Sequence, residues 1–278
     1  DDIYGLGTPH LTFSLSWLAS ICYTLQIYYD FSGYSDMAIG LSRLFGIKLP
    51  LNFNSPYKST SMIDFWNRWH MTLSQFLREY LYFTLGGNKL GKTRRLINMM
   101  ITMLLGGLWH GAGWTFVVWG GLHGIFLVVN HLFREAFPVI KNPQQRWHAI
   151  TRSVVGWVIT MLAIVSSMAV FRATSISDAI VILQAMAGIT ADHAGPVAKI
   201  VDHADDGWNA VFWVSLIALF APNTQEIMSK FQPAWDSVTS NSRVQWRPHP
   251  ALAIVAGLAL GLSIVNIGQV SEFLYFQF

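Results

Sequence analysis

The feature that most limits what this chain can become is a succession of apolar runs, of 14 to 24 residues, joined by connections that hold the basic residues. Such runs suit the hydrocarbon core of a bilayer, about 30 Å thick. Leu11–Tyr29, Leu96–Trp119, Trp119–Phe133, Ser153–Phe171, Trp208–Ala221 and Ala251–Ile267 are the windows that qualify. The turn needed between the second and third would fall at Gly111 and Gly113, and Trp208–Ala221 is short enough for a tilted or re-entrant segment. The fold class expected is therefore an all-α polytopic membrane protein with roughly six transmembrane helices plus re-entrant or amphipathic helices.

Composition agrees, because 53% of the 278 residues are hydrophobic and only 12% charged, against about a quarter in soluble domains. The one cysteine, Cys22, can form no internal disulfide and reads as a small buried hydrophobe. A net charge of +3 raises the question of nucleic acid. No basic stripe is present, so the lipid bilayer is the expected partner and nucleic acid is not. The chain opens on Asp1 without an initiator methionine, a basic leader or a cleavage site, and so reads as trimmed.

Residues 30–95 are too polar to cross lipid and too aromatic for a plain loop. They are expected to form re-entrant or interfacial helices. Met37–Phe45 reads as a short helix with Asp36 near its N-cap, and Ser61 with Asp64 resembles a capping box opening a helix over 62–83. On that helix Trp66, Trp69, Leu73, Phe76, Leu77 and Tyr80 would share a face, with His70 at its margin.

Two basic clusters, Lys89, Lys92, Arg94, Arg95 and Arg134, Lys141, Arg146, Arg152, point to the cytoplasm. The acidic connection 174–206, with Asp178, Asp192, Asp202, Asp205 and Asp206, points to the other side.

Within 96–133, helices that would carry His110, that histidine is the one titratable side chain of the first window. An ionisable residue at depth in a bilayer is costly and marks a candidate site. It would lie about 22 Å along a helix that starts at Arg95. Gly106, Gly107, Gly111 and Gly113 remove bulk around it, and a narrow slot walled by Trp109 and Trp114 with an imidazole base results. The same residues also fit a packing hydrogen bond between closely spaced helices, and for His123 packing is the favoured reading. His70 stays open between structure and function. No spacing of His and carboxylates supports a metal site. Asp192-His193 and Asp202-His203 read as solvated loop residues, and Asp30 and Asp36 as helix caps in preference to substrate ligands. A transporter or channel, or a non-catalytic scaffold of a polymer-modifying complex, remains the alternative.

Several runs resemble the membrane-bound O-acyltransferases, in particular their branch of bacterial alginate O-acetyltransferase membrane subunits. They are Tyr29-Asp-Phe-Ser-Gly-Tyr-Ser-Asp-Met-Ala-Ile-Gly-Leu41, Leu51-Asn-Phe-Asn-Ser-Pro-Tyr57, Asp64-Phe-Trp-Asn-Arg-Trp-His-Met-Thr-Leu-Ser74, Tyr82-Phe-Thr-Leu-Gly-Gly-Asn88, Gly106-Gly-Leu-Trp-His-Gly-Ala-Gly-Trp114 and Pro222-Asn-Thr-Gln-Glu-Ile-Met228. The resemblance implies a single membrane domain over 1–278, the C-terminal part of a longer fold. It also implies that His110 matches the family's catalytic histidine and His70 its second histidine.

The activity it implies is transfer of an acetyl or other acyl group from a cytoplasmic thioester such as acetyl-CoA, a substrate rather than a bound cofactor, to a hydroxyl. The acceptor would be an exported polysaccharide or a relay protein, with periplasmic acetyltransferases as partners and the bacterial inner membrane as location. In that reading His110 is the general base, and His70 or Asn67 donates to the oxyanion or orients the donor. Trp69, Trp109 and Trp114 wall the passage, and Lys89, Lys92, Arg94 and Arg95 attract the donor's phosphates or serve topology alone.

Overall fold

The computed structural model describes residues 11–138, 146–189, 204–236, 238 and 244–266, and the regular elements among them are all helical. Lys141 and the pairs Asp192-His193 and Asp202-His203 lie outside the described residues. The helices are α1 Phe13–Leu44, α2 Met62–Trp66, α3 Met71–Phe76, α4 Gly91–His110 and α5 Trp114–Ala136. They continue with α6 Arg146–Arg172, α7 Ile176–Met186, α8 Ala204–Phe220, α9 Thr224–Ile227 and α10 Pro250–Asn266. Of these, α5 and α6 are long and apolar enough to cross a membrane. Only 22% of the apolar window of α5 is buried inside the protein. Exposed Ile125, Val129 and Phe133 leave it an apolar outer surface of the kind lipid covers.

The chain divides into two compact units, Asp1–Tyr29 with Asn52–Ala221, and Asp30–Leu51 with Pro222–Phe278. In the first, α4 and α5 form a hairpin closed by the Gly111–Gly113 turn. Their backbones touch: a Cβ on Gly107 would lie 2.3 Å from the Phe116 carbonyl oxygen, and one on Gly120 would lie 2.3 Å from that of Met103. A second close approach sets Gly156 of α6 against the Thr60 carbonyl oxygen, 2.5 Å from an added Cβ. Small residues thus bring main chain to main chain, the packing mode favoured where water supplies no drive between helices. Asn98, fully buried on α4, donates to the carbonyls of Leu85 and Gly87, both at 3.0 Å, and so pins the left-handed Gly86-Gly87 turn to the hairpin.

The expected helix over 62–83 is broken into three. Ser61 caps α2 as foreseen, accepting from the Asp64 amide at 3.2 Å. The chain then turns through a left-handed His70, φ 41°, before α3 and a π-helical stretch, Leu77–Tyr82. The break has a long-range cause. An extended segment supplies the backbone partners, with the Asn54 amide donating to the Arg68 carbonyl and the Met71 amide to that of Asn52, both at 2.9 Å. The single apolar face therefore fails, with Trp69, Leu73 and Leu77 buried but Phe76 and Tyr80 exposed.

Met37–Phe45 is likewise no separate helix, because α1 runs unbroken to Leu44, and Asp30 and Asp36 lie within it rather than at a cap. Its Gly33 and Gly40 stand in open space and do not interrupt it. Cys22 is exposed rather than buried. Residues expected as the acidic loop 174–206 include α7, whose Ala179, Ile182, Ala185 and Met186 are buried. The Ser175 hydroxyl caps it, and the Asp178 carboxylate accepts from Thr174 and Ser175 at 2.6 and 2.7 Å. Those hydroxyls, Ser175 before Thr174, hold the Asp178 carboxyl below the usual range.

In the second unit the end of α1 closes through left-handed Gly46, with the Ile47 amide donating to the Ser42 carbonyl at 3.0 Å. Gln225 donates to Asp36 at 2.7 Å, the Leu51 amide to Asp236 at 3.0 Å, and Asn223 with Glu226 forms a complete capping box on α9.

Candidate functional site

The Gly111–Gly113 turn places His110 at the last residue of α4, beside the first turn of α5. Its ring meets Trp109, Trp119 and Phe171 edge to face, with centroids 5.1, 5.2 and 5.2 Å away. No described residue hydrogen-bonds the His110 imidazole. Trp109 continues the array to His70, whose centroid lies 6.3 Å from the indole. The two histidines expected at one site therefore flank a single tryptophan.

His70 is positioned by its bend and by Asn52. Its Nδ1 stands 3.0 Å from Asn52 Oδ1, which also accepts from the Thr72 hydroxyl at 2.9 Å. Phe53 stacks on the ring at 6.5 Å with an interplanar angle of 24°.

His123, farther along α5, differs in kind. It is 0% exposed, and both its nitrogens are engaged. Trp66 Nε1 donates to Nδ1 at 3.3 Å, so the ring proton sits on Nε2 and is donated to Ser167 Oγ at 2.9 Å. The Ser167 hydroxyl in turn donates to the Ile164 carbonyl at 2.8 Å. His123 is thus a saturated node tying α2, α5 and α6, which is the packing role the sequence favoured for it.

The other expected residues separate. Trp69 is 5% exposed and belongs to an aromatic core, parallel to Phe65 at 5.6 Å and edge-on to Phe53 at 5.1 Å. Trp109 and Trp114 are 57% and 75% exposed and flank the turn that closes the hairpin. Asn67 lines a cavity of about 260 Å³ together with Trp66, Ser74, Arg78, Thr102 and His131, but neither His70 nor His110 lines that cavity. The glycine slot is filled. Beyond the Gly107 contact with α5, an added Cβ on Gly106 would meet Leu77 at 3.0 Å, and one on Gly111 the Phe116 ring at 2.5 Å.

In the basic loop, Lys92 pairs with Glu135 at 2.6 Å and Arg95 with the same carboxylate, while Lys89 and Arg94 form no ion pair among the described residues. Among the described residues, no three His, Cys, Asp or Glu side chains gather to hold a metal ion.

Sequence reasoning missed Asn52, Trp119 and Phe171. Trp119 is 3% exposed and packs on both His110 and His123, and its indole N–H has no hydrogen-bond partner among the described residues. Asn52 had a signal, being a polar residue that alternates with apolar Leu51 and Phe53 in an extended run.

Residues 7–171 match the model of MBOAT, the membrane-bound O-acyltransferase family, and the chain belongs to that family of membrane proteins. It is 34% identical to a peptidoglycan O-acetyltransferase of Helicobacter pylori over 96% of this chain and 50% of that protein. It is 48% identical to a probable alginate O-acetylase AlgI of Azotobacter vinelandii over 57% of this chain and 32% of that protein. Its counterpart in Pseudomonas aeruginosa is 43% identical over 67% of this chain and 34% of that protein. The chain thus spans about half the length of the first relative and about a third of the other two.

Proposed function

We propose that this chain carries the catalytic histidine of an O-acyltransferase that moves an acetyl or other acyl group from a thioester donor to a hydroxyl of a cell-surface polymer or of a relay protein. The observation that supports it is the state of His110. It is ringed by aromatic side chains and bound through its nitrogens by no described residue, whereas His123 is saturated. An imidazole in such a place has a lone pair to offer a substrate.

In the step itself, His110 takes the proton of the acceptor hydroxyl as its oxygen attacks the thioester carbonyl. The C–S bond then breaks, the proton returns to the departing sulfur, and an ester and a thiol result. Proton transfer of this kind is worth about 10²–10⁴-fold in rate. His70, on the other side of Trp109, is the second histidine of the site, and exposed Trp109 and Trp114 border its entrance. Lys89 and Arg94, unpaired with acid among the described residues, draw the phosphates of a donor such as acetyl-CoA, which is a substrate rather than a resident cofactor.

The finer topology follows the same reading. About six spans would cross the bacterial inner membrane, α5 and α6 among them, in a single membrane domain over 1–278. Residues 30–95 would lie at the interface, 96–133 would cross with His110, and 174–206 would face the periplasm, where acetyltransferase or relay partners act. The relatives named for peptidoglycan and alginate support an acceptor among surface polysaccharides.

The test is mass spectrometry of exported polymer from cells carrying the full-length parent protein or its His110→Ala variant, matched for amount in the membrane. Loss of acyl groups in the variant is expected. Unchanged acylation would remove His110 from the chemistry.

A further inference from the structure

We propose that Asn52 is a positioning residue for His70: its side-chain carbonyl fixes the imidazole as the Nδ1–H tautomer, so that Nε2 carries the lone pair. The inference rests on the reading that His70 belongs to the acyl-transfer site.

The geometry is over-determined from several directions. Asn52 Oδ1 stands 3.0 Å from His70 Nδ1, and an amide oxygen can only accept, so the proton is on Nδ1. The Thr72 hydroxyl, two residues beyond the histidine, donates to the same oxygen at 2.9 Å and orients the amide. The main chain of Asn52 is held too, because its carbonyl accepts from the Met71 amide at 2.9 Å and the Asn54 amide donates to the Arg68 carbonyl at 2.9 Å. The backbone on both sides of His70 is therefore tied to the backbone around Asn52. His70 itself sits at φ 41°, ψ 53°, a left-handed conformation that is strained for a non-glycine residue and persists only where neighbours impose it. Strain and a double main-chain tie, spent on aiming one ring at one amide oxygen, are more than core packing requires.

The chemical consequence is directional. With its proton committed to Asn52, neutral His70 presents an acceptor at Nε2 and has no N–H left to donate to a developing oxyanion. His70 is thereby a group that receives a hydrogen bond from a hydroxyl or N–H at the site, and an oxyanion donor has to be found elsewhere. A titratable group that faces it among the described residues is His110, across Trp109. Asp64 and Arg68, in the preceding helix and turn, are paired with each other at 2.8 Å.

The experiment uses the full-length parent protein in native membranes, with acyl transfer measured against pH and donor concentration for wild type, His70→Ala, Asn52→Leu and Asn52→Asp. Asn52→Leu removes the acceptor and is expected to lower kcat about 10- to 100-fold with the donor KM unchanged, the scale on which a histidine's orienting partner acts. Asn52→Asp keeps an acceptor of the same shape but adds charge, which favours the protonated ring. Activity near neutral pH should persist in it while the acid limb of the pH–rate profile moves to higher pH. A carboxylate out of reach of His70 would leave that limb in place, so Asn52→Asp reports on the Nδ1 contact even if Asn52→Leu fails to accumulate. An acid limb of Asn52→Asp superimposable on wild type, with His70→Ala impaired, overturns the assignment and leaves the site intact. Full activity of His70→Ala removes His70 from the site and the Asn52 assignment with it.

Discussion

His110 and His123 stand on the two arms of one hairpin, share Trp119 as a ring neighbour, and are both enclosed by aromatic side chains, yet one is saturated and the other is not. Aromatic company therefore does not distinguish the two rings. The accounting of their nitrogens does. At His123 every donor and acceptor closes within a chain from Trp66 to the Ile164 carbonyl, and the ring serves as a strut. At His110, which is half-buried, the contacts are ring edges, and no described residue hydrogen-bonds its nitrogens.

The sharpest way to break this contrast is to exchange the fates of the two rings. His110→Ala should lose acyl transfer by about 10²–10⁴-fold while its amount in the membrane and its thermal midpoint in detergent stay near wild type. His123→Ala should do the reverse, losing folded protein because Trp66 and Ser167 are left facing a void. Equal loss of fold in both variants would erase the distinction.

Next in size is the hairpin crossing. Gly107→Ala or Gly120→Ala forces a methyl group to 2.3 Å from a carbonyl oxygen. A cost beyond the usual overpacking range of about 1–3 kcal/mol is expected, read as a lower midpoint by tryptophan fluorescence. Ser167→Ala sharpens the comparison more finely. It strips the acceptor from His123 Nε2–H, with about 1–3 kcal/mol of destabilisation and unchanged turnover.

Smaller still is the basic loop. Lys89→Gln with Arg94→Gln should raise the donor KM and flatten its salt dependence, whereas Lys92→Gln should do less, since Lys92 is already paired with Glu135. The smallest effect concerns Asp178. Its carboxyl is depressed in the folded protein, so its contribution is fully present above the unfolded pKa of an ordinary aspartate and is lost as pH falls through the lower folded value. Asp178→Asn should therefore narrow the gap in melting temperature between neutral and acid pH, and only slightly, because the group lies near the surface and is screened by solvent.

Much of this was legible in the sequence, and what was not has a common cause. The positions of α4, α5 and α6 follow from apolar length, the Gly111–Gly113 turn from its glycines, and the Ser61 cap from one hydroxyl three residues before a carboxylate. The packing role of His123 was favoured for the right reason, a histidine among glycines at a helix contact. The break at His70 was invisible, because the amide and carbonyl that a helix would have used are satisfied from residues 52–54, and no local pattern announces a partner that distant. The same distance hid Asn52, Trp119 and Phe171 as neighbours of the histidines. The glycines of the hairpin fit both a ligand slot and close helix contact in the sequence; the structure fills the space with backbone, Leu77 and Phe116, which periodicity cannot reveal.

The contact between Gly107 and Gly120 carries one more implication. Side chains at an interface can repack among rotamers, but two main chains pressed together have no such freedom, and the spacing of the hairpin arms is set there by van der Waals contact of main-chain atoms. The imidazole one turn beyond Gly107 thus inherits its placement from a joint without play. Temperature and changes in the surrounding lipid would then alter how much of the protein is folded well before they alter where that ring stands.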